Sequence, residues 1–323
     1  MLPLELVSSN KSTIVRSKMG LQLARASVRA AYTLSEDLGA RAAARLFTTP
    51  QRHARPFREQ ATLEQGRPFT VSVLRRAPHW GGERVEVAAW RWGEGPVVLL
   101  VHGWEGRGAQ LGAFVEPLLA AGMSVVAFDA PAHGDSPGHR LFLSDMADCI
   151  GQLGEHLGRV HAVIAHSFGG AATLLAHREL GFDASRNVFL APAPLASEAI
   201  GQFARTLALR EGDVAALRER LAAESGVHPS ELALELLTTD RDAGLLVVHD
   251  SEDREVPISQ AHALVDAWPG ARLWTTRGLG HRRILRDPEV VREAVAYATH
   301  AAPVGGSDLP RAWPAQPTAA QGG

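Results

Sequence analysis

Val160-His161-Ala162-Val163-Ile164-Ala165-His166-Ser167-Phe168-Gly169-Gly170-Ala171-Ala172-Thr173-Leu174-Leu175 reads as a buried strand that turns sharply, with one serine on the turn, into a helix opened by small residues. A turn of that kind holds a hydroxyl out beyond the end of a sheet. The serine is therefore a candidate nucleophile, provided that a base, an acid and an oxyanion site occur elsewhere in workable order.

Working outward, the same alternation recurs. Val97–Val101 and Ser124–Phe128 are short continuous apolar runs, followed by helical patterns over 111–121 and 143–157. After a helix over 169–180 come strands at 188–190, 245–248 and 271–275, with helices at 259–267 and 288–300. Unbroken apolar strands alternating with helices predict an α/β fold, a mostly parallel central sheet with helices on both faces. Phe69–Leu74 and Val85–Trp90 alternate instead, like half-buried strands, and read as an antiparallel entry to the sheet.

The alternation lapses between Ala191 and Asp242, where only helical patterns occur. An all-helical insertion of this kind reads as a small cap over an active site, with a longer crossover on the sheet face as the other reading. Near the N-terminus, Leu21, Ala24, Val28, Ala31, Leu34, Leu38 and Ala42 recur at spacings of three and four. They predict an amphipathic helix broken near Gly39 and packed on the main domain or on a second subunit. The expected organisation is a largely helical extension (1–66), a first core part (67–191), a helical cap (192–242), a second core part (243–301) and a disordered tail (302–323). Residues 1–20, polar and aperiodic, are expected to be poorly ordered as well.

Composition excludes several classes of function. With 46% hydrophobic residues, 21% charged residues and a net charge of −2, nothing favours nucleic acid or an anionic membrane as a partner. Cys149 is the single cysteine, so no internal disulfide can form. The first residues lack the pattern of a signal peptide, and no apolar run approaches the roughly 18 residues of a membrane span, so a cytoplasmic location is expected. The 14 histidines are scattered without metal-ligand spacing, and no metal or other cofactor is expected.

The strict pattern G-x-S-x-G points to the wrong serine. It occurs at Gly134-Asp135-Ser136-Pro137-Gly138, between prolines and without a strand before or a helix after it. Ser167 has both, and Ala165, Gly169 and Gly170 are small, as a close strand-to-helix turn needs. A serine hydroxyl needs a base, and His281 follows the last strand in the glycine-rich Arg277-Gly278-Leu279-Gly280-His281. The acid comes from Asp250, Glu252 or Asp253, after the strand ending at Val248; Asp253 is preferred because the loop must rise before a carboxylate can reach the histidine, and Asp250 is the alternative. Backbone N–H groups of Phe168 and of Trp104, in His102-Gly103-Trp104, are the candidates for an oxyanion hole.

Five blocks together resemble the α/β-hydrolase family: His102-Gly103-Trp104, the stretch from Phe128 to Ser136, the turn from Ala165 to Gly170, the stretch from His249 to Pro257, and Gly280-His281. They span roughly residues 67–301 in the family's order of serine, acid and histidine. The resemblance implies Ser167 as nucleophile, Asp253 as acid, His281 as base, and the N–H groups of Trp104 and Phe168 as the oxyanion hole. It makes the block around Ser136 mostly structural, with Ala132 where the family usually has glycine. It implies a small-molecule ester or acyl substrate cleaved through an acyl-enzyme. Trp104, Phe168, Phe142 and Leu279 near the expected cleft suggest that the substrate is small and partly apolar, with Phe142 and Leu279 as substrate contacts. Acyl transfer, perhydrolysis, cleavage of a carbon–carbon bond and a non-catalytic binding role remain alternatives, and oligomeric state is not readable.

Overall fold

The computed structural model describes residues 18–193, 196–238 and 243–299. The expectations for residues 1–17 and for the tail from 302 lie outside the described residues. One eight-stranded sheet organises the rest, with β1 (Arg67–Leu74), β2 (Arg84–Trp92), β3 (Val97–Val101), β4 (Ser124–Phe128), β5 (Val160–His166), β6 (Ala184–Leu190), β7 (Gly244–Asp250) and β8 (Arg272–Thr276). Its order is β1-β2-β4-β3-β5-β6-β7-β8. Only the β1/β2 and β2/β4 pairs are antiparallel. This is the mostly parallel α/β sheet with an antiparallel entry that the apolar patterns predict.

Every residue of β3 and β4 is buried because the sheet is covered on both faces. Successive side chains point to opposite sides. Leu99, Val126 and Val163 therefore join a core with Met146, Ile150 and Leu174 from the helices Leu143–Leu157 and Phe168–Glu179. Val98, Leu100, Val125 and Ile164 join a second core with Phe114, Leu118, Val290 and Ala294.

A third apolar cluster joins the two ends of the expected organisation. Ala24, Val28, Tyr32, Ala40, Ala43 and Ala44 of the N-terminal helices pack with Ile200, Leu207, Leu217 and Leu221 of the inserted helices Ala196–Leu207 and Glu211–Ser225. The Tyr32 hydroxyl donates to the Asp213 carbonyl across 2.8 Å, and Arg25 Nε donates to the Thr206 carbonyl across 2.9 Å. The helical patterns over 21–42 and in the insertion thus have one explanation: each buries its apolar face on the other.

Some boundaries differ from expectation, for identifiable reasons. The N-terminal helix breaks at Ser35, not near Gly39. Ser35 is extended, its hydroxyl accepts from the Leu38 N–H, and Glu36 and Asp37 follow in the first turn, so a new helix (Glu36–Thr48) starts there. Gly39 lies inside that helix, where a Cβ would come within 2.1 Å of the Tyr32 ring. β6 starts at Ala184 rather than 188, because the polar Asn187 is satisfied in place by His177 Nε2 at 3.0 Å. The pattern over 111–121 splits into a 3-10 segment, Gly108–Phe114, and a short helix, Val115–Ala120. A helix not expected from sequence, Phe57–Glu64, occupies the connection before β1.

Candidate active site

The parallel register brings the site residues to the carboxyl ends of neighbouring strands. Val101 at the end of β3 pairs with Ala165 near the end of β5, which sets His102-Gly103 beside His166-Ser167. Ser167 takes φ 51° and ψ −120°, a left-handed conformation that costs a non-glycine residue about 1–3 kcal/mol. Its N–H is fixed by the Leu190 carbonyl at 3.0 Å. Two glycines let the backbones approach: a Cβ on Gly103 would lie 3.0 Å from Ser167 Cβ, and one on Gly169 would lie 2.6 Å from the His102 carbonyl oxygen.

The structure brings Ser167, His281 and Asp253 together. The Ser167 hydroxyl donates to His281 Nε2 across 3.0 Å, and His281 Nδ1 donates to Asp253 Oδ2 across 2.8 Å. A carboxylate only accepts, so its contact puts the proton on Nδ1 and leaves Nε2 free to take one. Burial pushes the Asp253 carboxyl pKa upward. Hydrogen bonds from His281 and from the Val256 and Glu255 N–H groups outweigh burial and hold it below the ordinary carboxylate value.

The other two acid candidates sit elsewhere. Asp250 Oδ2 accepts from the Leu279 N–H and the Thr276 hydroxyl, each at 2.9 Å, and so holds the loop that presents His281. Glu252 is exposed and pairs with Arg277 at 2.8 Å.

On the oxyanion side, neither the Trp104 N–H nor the Phe168 N–H donates to a protein acceptor among the described residues. Two buried histidines set the Trp104 loop. His133 Nε2 accepts from the Glu105 N–H at 3.0 Å, and His102 Nε2 accepts from the Ala130 N–H at 2.9 Å. Burial pushes their pKa values down to about 4 for His102 and about 3 for His133, which keeps both neutral acceptors. Ser136, the decoy, is fully buried; its hydroxyl donates to the Asp129 carbonyl and accepts from the Ala88 N–H at 2.9 Å.

A cavity of about 370 Å³ opens at Ser167 and His281. Of the four residues expected near the cleft, only Trp104 lines it. Phe142 is a correction: it is buried against Trp80, ring centroids 6.0 Å apart, at the start of the helix Leu143–Leu157. Leu279 packs on the second core instead, and Phe168 on the first core and edge-on to Trp104. The lining itself is mixed: the apolar Pro56, Trp104 and Leu285 lie among charged and polar side chains.

The wall comes from an unexpected quarter. His53, Pro56, Arg58 and Glu59, all from the extension before β1, line the cavity, whereas none of its lining residues belongs to the helical insertion. Arg107 fixes that wall: its Nε donates to Glu59 Oε2 at 2.5 Å, and its terminal nitrogens donate to the His53 and Ala54 carbonyls. Sequence reading also missed Glu255, whose Oε2 lies 4.0 Å from His281 Nε2, and the contact of His166 with the main chain of His281. The Glu-x-Arg pair flanking Gly106 was the only local signal for the wall; its partner Glu59 is 48 residues away.

The sequence pattern that defines the alpha/beta hydrolase family matches residues 98–294, more than half of the chain. The chain belongs to the alpha/beta hydrolase family. Among relatives of this hydrolase, a monoacylglycerol lipase of Mycolicibacterium smegmatis is 25% identical over 251 residues, 65% of this chain and 89% of that protein. Among solved structures, an esterase from Pyrococcus furiosus superposes with a TM-score of 0.55 at 19% identity, covering 78% of this chain and 96% of that one. A monoacylglycerol lipase from Paleococcus ferrophilus gives a TM-score of 0.53 at 22% identity, covering 66% and 98%. At such identities these structures speak for the hydrolase fold alone. No helix among the described residues of the hydrolase is long and apolar enough to cross a membrane.

Proposed function

We propose that the chain is a serine hydrolase cleaving carboxylic esters or thioesters, with Ser167 as nucleophile, His281 as base and Asp253 as the orienting acid. The observation that supports this most directly is the continuous hydrogen-bond chain from Ser167 through His281 to Asp253. Ser167 Oγ attacks the acyl carbon while His281 Nε2 takes the hydroxyl proton. The N–H groups of Trp104 and Phe168 stabilise the oxyanion. Collapse expels the alcohol or thiol, to which His281 returns the proton, and water then repeats the sequence on the acyl-enzyme to release the acid. Asp253 keeps the ring oriented and stabilises its charged form.

The relatives support an ester as the scissile bond, since a monoacylglycerol lipase is among them. The test is labelling with a fluorophosphonate probe together with a hydrolysis screen over p-nitrophenyl esters of increasing chain length. Wild type is expected to be labelled and active, and Ser167→Ala neither. A folded wild-type protein that is not labelled would instead fit a binding role for the same pocket.

A further inference from the structure

The charges around the cavity do not cancel. Three carboxylates line it, and each has partners of its own, two of them arginines. Glu59 takes Arg107 at 2.5 Å, Glu255 takes Arg282 at 3.2 Å, and Glu105 accepts from the Gln51 N–H at 3.3 Å with His53 Nε2 3.6 Å from its other oxygen. Arg107 is spent in this way, with its side chain 6% exposed and all three of its nitrogen groups donating. Two lining arginines remain, Arg58 on the extension and Arg286 just beyond His281. Both are exposed, and among the described residues neither side chain makes a hydrogen bond or ion pair. They come from different segments of the chain yet open on the cavity that holds the serine hydroxyl.

A guanidinium fork matches the planar pair of oxygens of a carboxylate, or two oxygens of a phosphate, better than any neutral group. We propose that the substrate of this hydrolase carries such an oxyanion group, bound by Arg58 and Arg286 while the scissile carbonyl sits at Ser167. The inference rests on the ester-hydrolase reading and narrows it: the substrate class is an anionic ester or thioester, not a neutral lipid ester. Unpaired cations beside the cavity also attract oppositely charged substrate, an effect that salt weakens.

The test compares monomethyl succinate, glutarate and adipate with methyl butyrate, valerate and hexanoate, followed by pH-stat. At low ionic strength kcat/KM for the half-esters is expected to exceed that of the neutral esters by about tenfold at one chain length, the order expected for two partly exposed charge-assisted contacts. The ratio is expected to fall with added salt. Arg58→Gln and Arg286→Gln each lower it, and the double variant brings it close to one, whereas Arg292→Gln, an exposed arginine on the helix Pro288–Thr299, leaves it unchanged. Succinate and inorganic phosphate, tested as competitive inhibitors of p-nitrophenyl butyrate hydrolysis, separate the two anion types: the stronger inhibitor names the group. No half-ester preference together with no inhibition by either anion overturns the proposal, as does a preference that the double variant retains. Failure of the hydrolase reading looks different, because then neither ester series is hydrolysed, or Ser167→Ala hydrolyses both as fast as wild type.

Discussion

His166 Nε2 donates to the backbone carbonyl of His281 across 3.0 Å, so the residue preceding the candidate nucleophile holds the main chain of the candidate base. Both side chains are buried, their rings 4.7 Å apart. Burial, reinforced by the adjacent His281, pushes the His166 pKa well below its ordinary value, and the ring stays a neutral donor. His166→Ala leaves a buried carbonyl without its partner and frees the loop from Gly278 to Arg282. Stability is expected to fall by about 1–3 kcal/mol. Misplacement of the base is expected to lower kcat by roughly 10- to 100-fold, with a smaller effect on KM. His166→Gln, which can still donate, is expected to recover part of kcat; steady-state kinetics with a urea titration of each variant reads both effects.

Asp253 and Asp250 stand three residues apart and make opposite predictions. Asp253→Asn removes the acceptor that fixes the His281 tautomer, and kcat is expected to drop by about ten-thousandfold with the fold intact. Asp250→Asn weakens the hold on the Leu279 N–H and the Thr276 hydroxyl. Its principal effect is expected in the unfolding midpoint, with a far smaller loss of kcat. A larger kinetic loss in Asp250→Asn than in Asp253→Asn would exchange the two roles.

Ser136→Ala is expected to keep fluorophosphonate labelling and lose stability. The variant leaves the half-buried Ala88 N–H and the buried Asp129 carbonyl unpaired, at a cost of about 1–3 kcal/mol, and each kcal/mol shifts Tm by about 1–2 °C in a chain of this size. Labelling read beside a thermal scan separates this serine from Ser167.

Acid is expected to unfold the protein through His102 and His133. Their folded pKa values, about 4 and about 3, lie below the ordinary 6.5 that the unfolded chain regains. Between those limits the unfolded chain binds protons that the folded one refuses, so stability is complete above pH 6.5 and is lost as pH falls toward 4. These two groups alone contribute a slope of up to about 3 kcal/mol per pH unit, and the buried His166 adds to it with the same sign. His133→Gln, whose amide oxygen can still accept from the Glu105 N–H, is expected to flatten the slope by about one proton. Urea midpoints measured across this range check it.

Glu59→Gln is expected to cost about 3–5 kcal/mol, because it strands the buried Arg107 guanidinium. Replacing the pair together, Glu59→Leu with Arg107→Met, is expected to cost much less than the sum of the single changes. A double-mutant cycle by chemical denaturation measures the coupling.

The sheet was legible because parallel strands covered on both faces must be apolar throughout, and Val97–Val101 and Ser124–Phe128 are. The turn at Ser167 was legible because a strand, a serine and small residues lie next to one another in sequence. What depended on distant partners was not: the N-terminal helices look like a free amphipathic element until their apolar face meets Ile200 and Leu217. Phe142 was misread for the same reason, since an aromatic residue near the cleft in sequence turned out to fill the space beside Trp80. The cavity wall was invisible because Arg58 and Glu59 sit in a connection with no periodic pattern, and only the fold shows what they face.

The clasp between the N-terminal helices and the inserted ones also has a timetable. Tyr32 and Asp213, which it joins, are 181 residues apart in the chain. At a synthesis rate of about 5–20 residues per second, roughly ten to forty seconds pass between the two leaving the ribosome. During that interval the apolar side of the helices Lys18–Leu34 and Glu36–Thr48 has emerged without its partner. These helices are made well before the partner they pack on, and a chaperone that shields exposed apolar helices would find them uncovered during that interval.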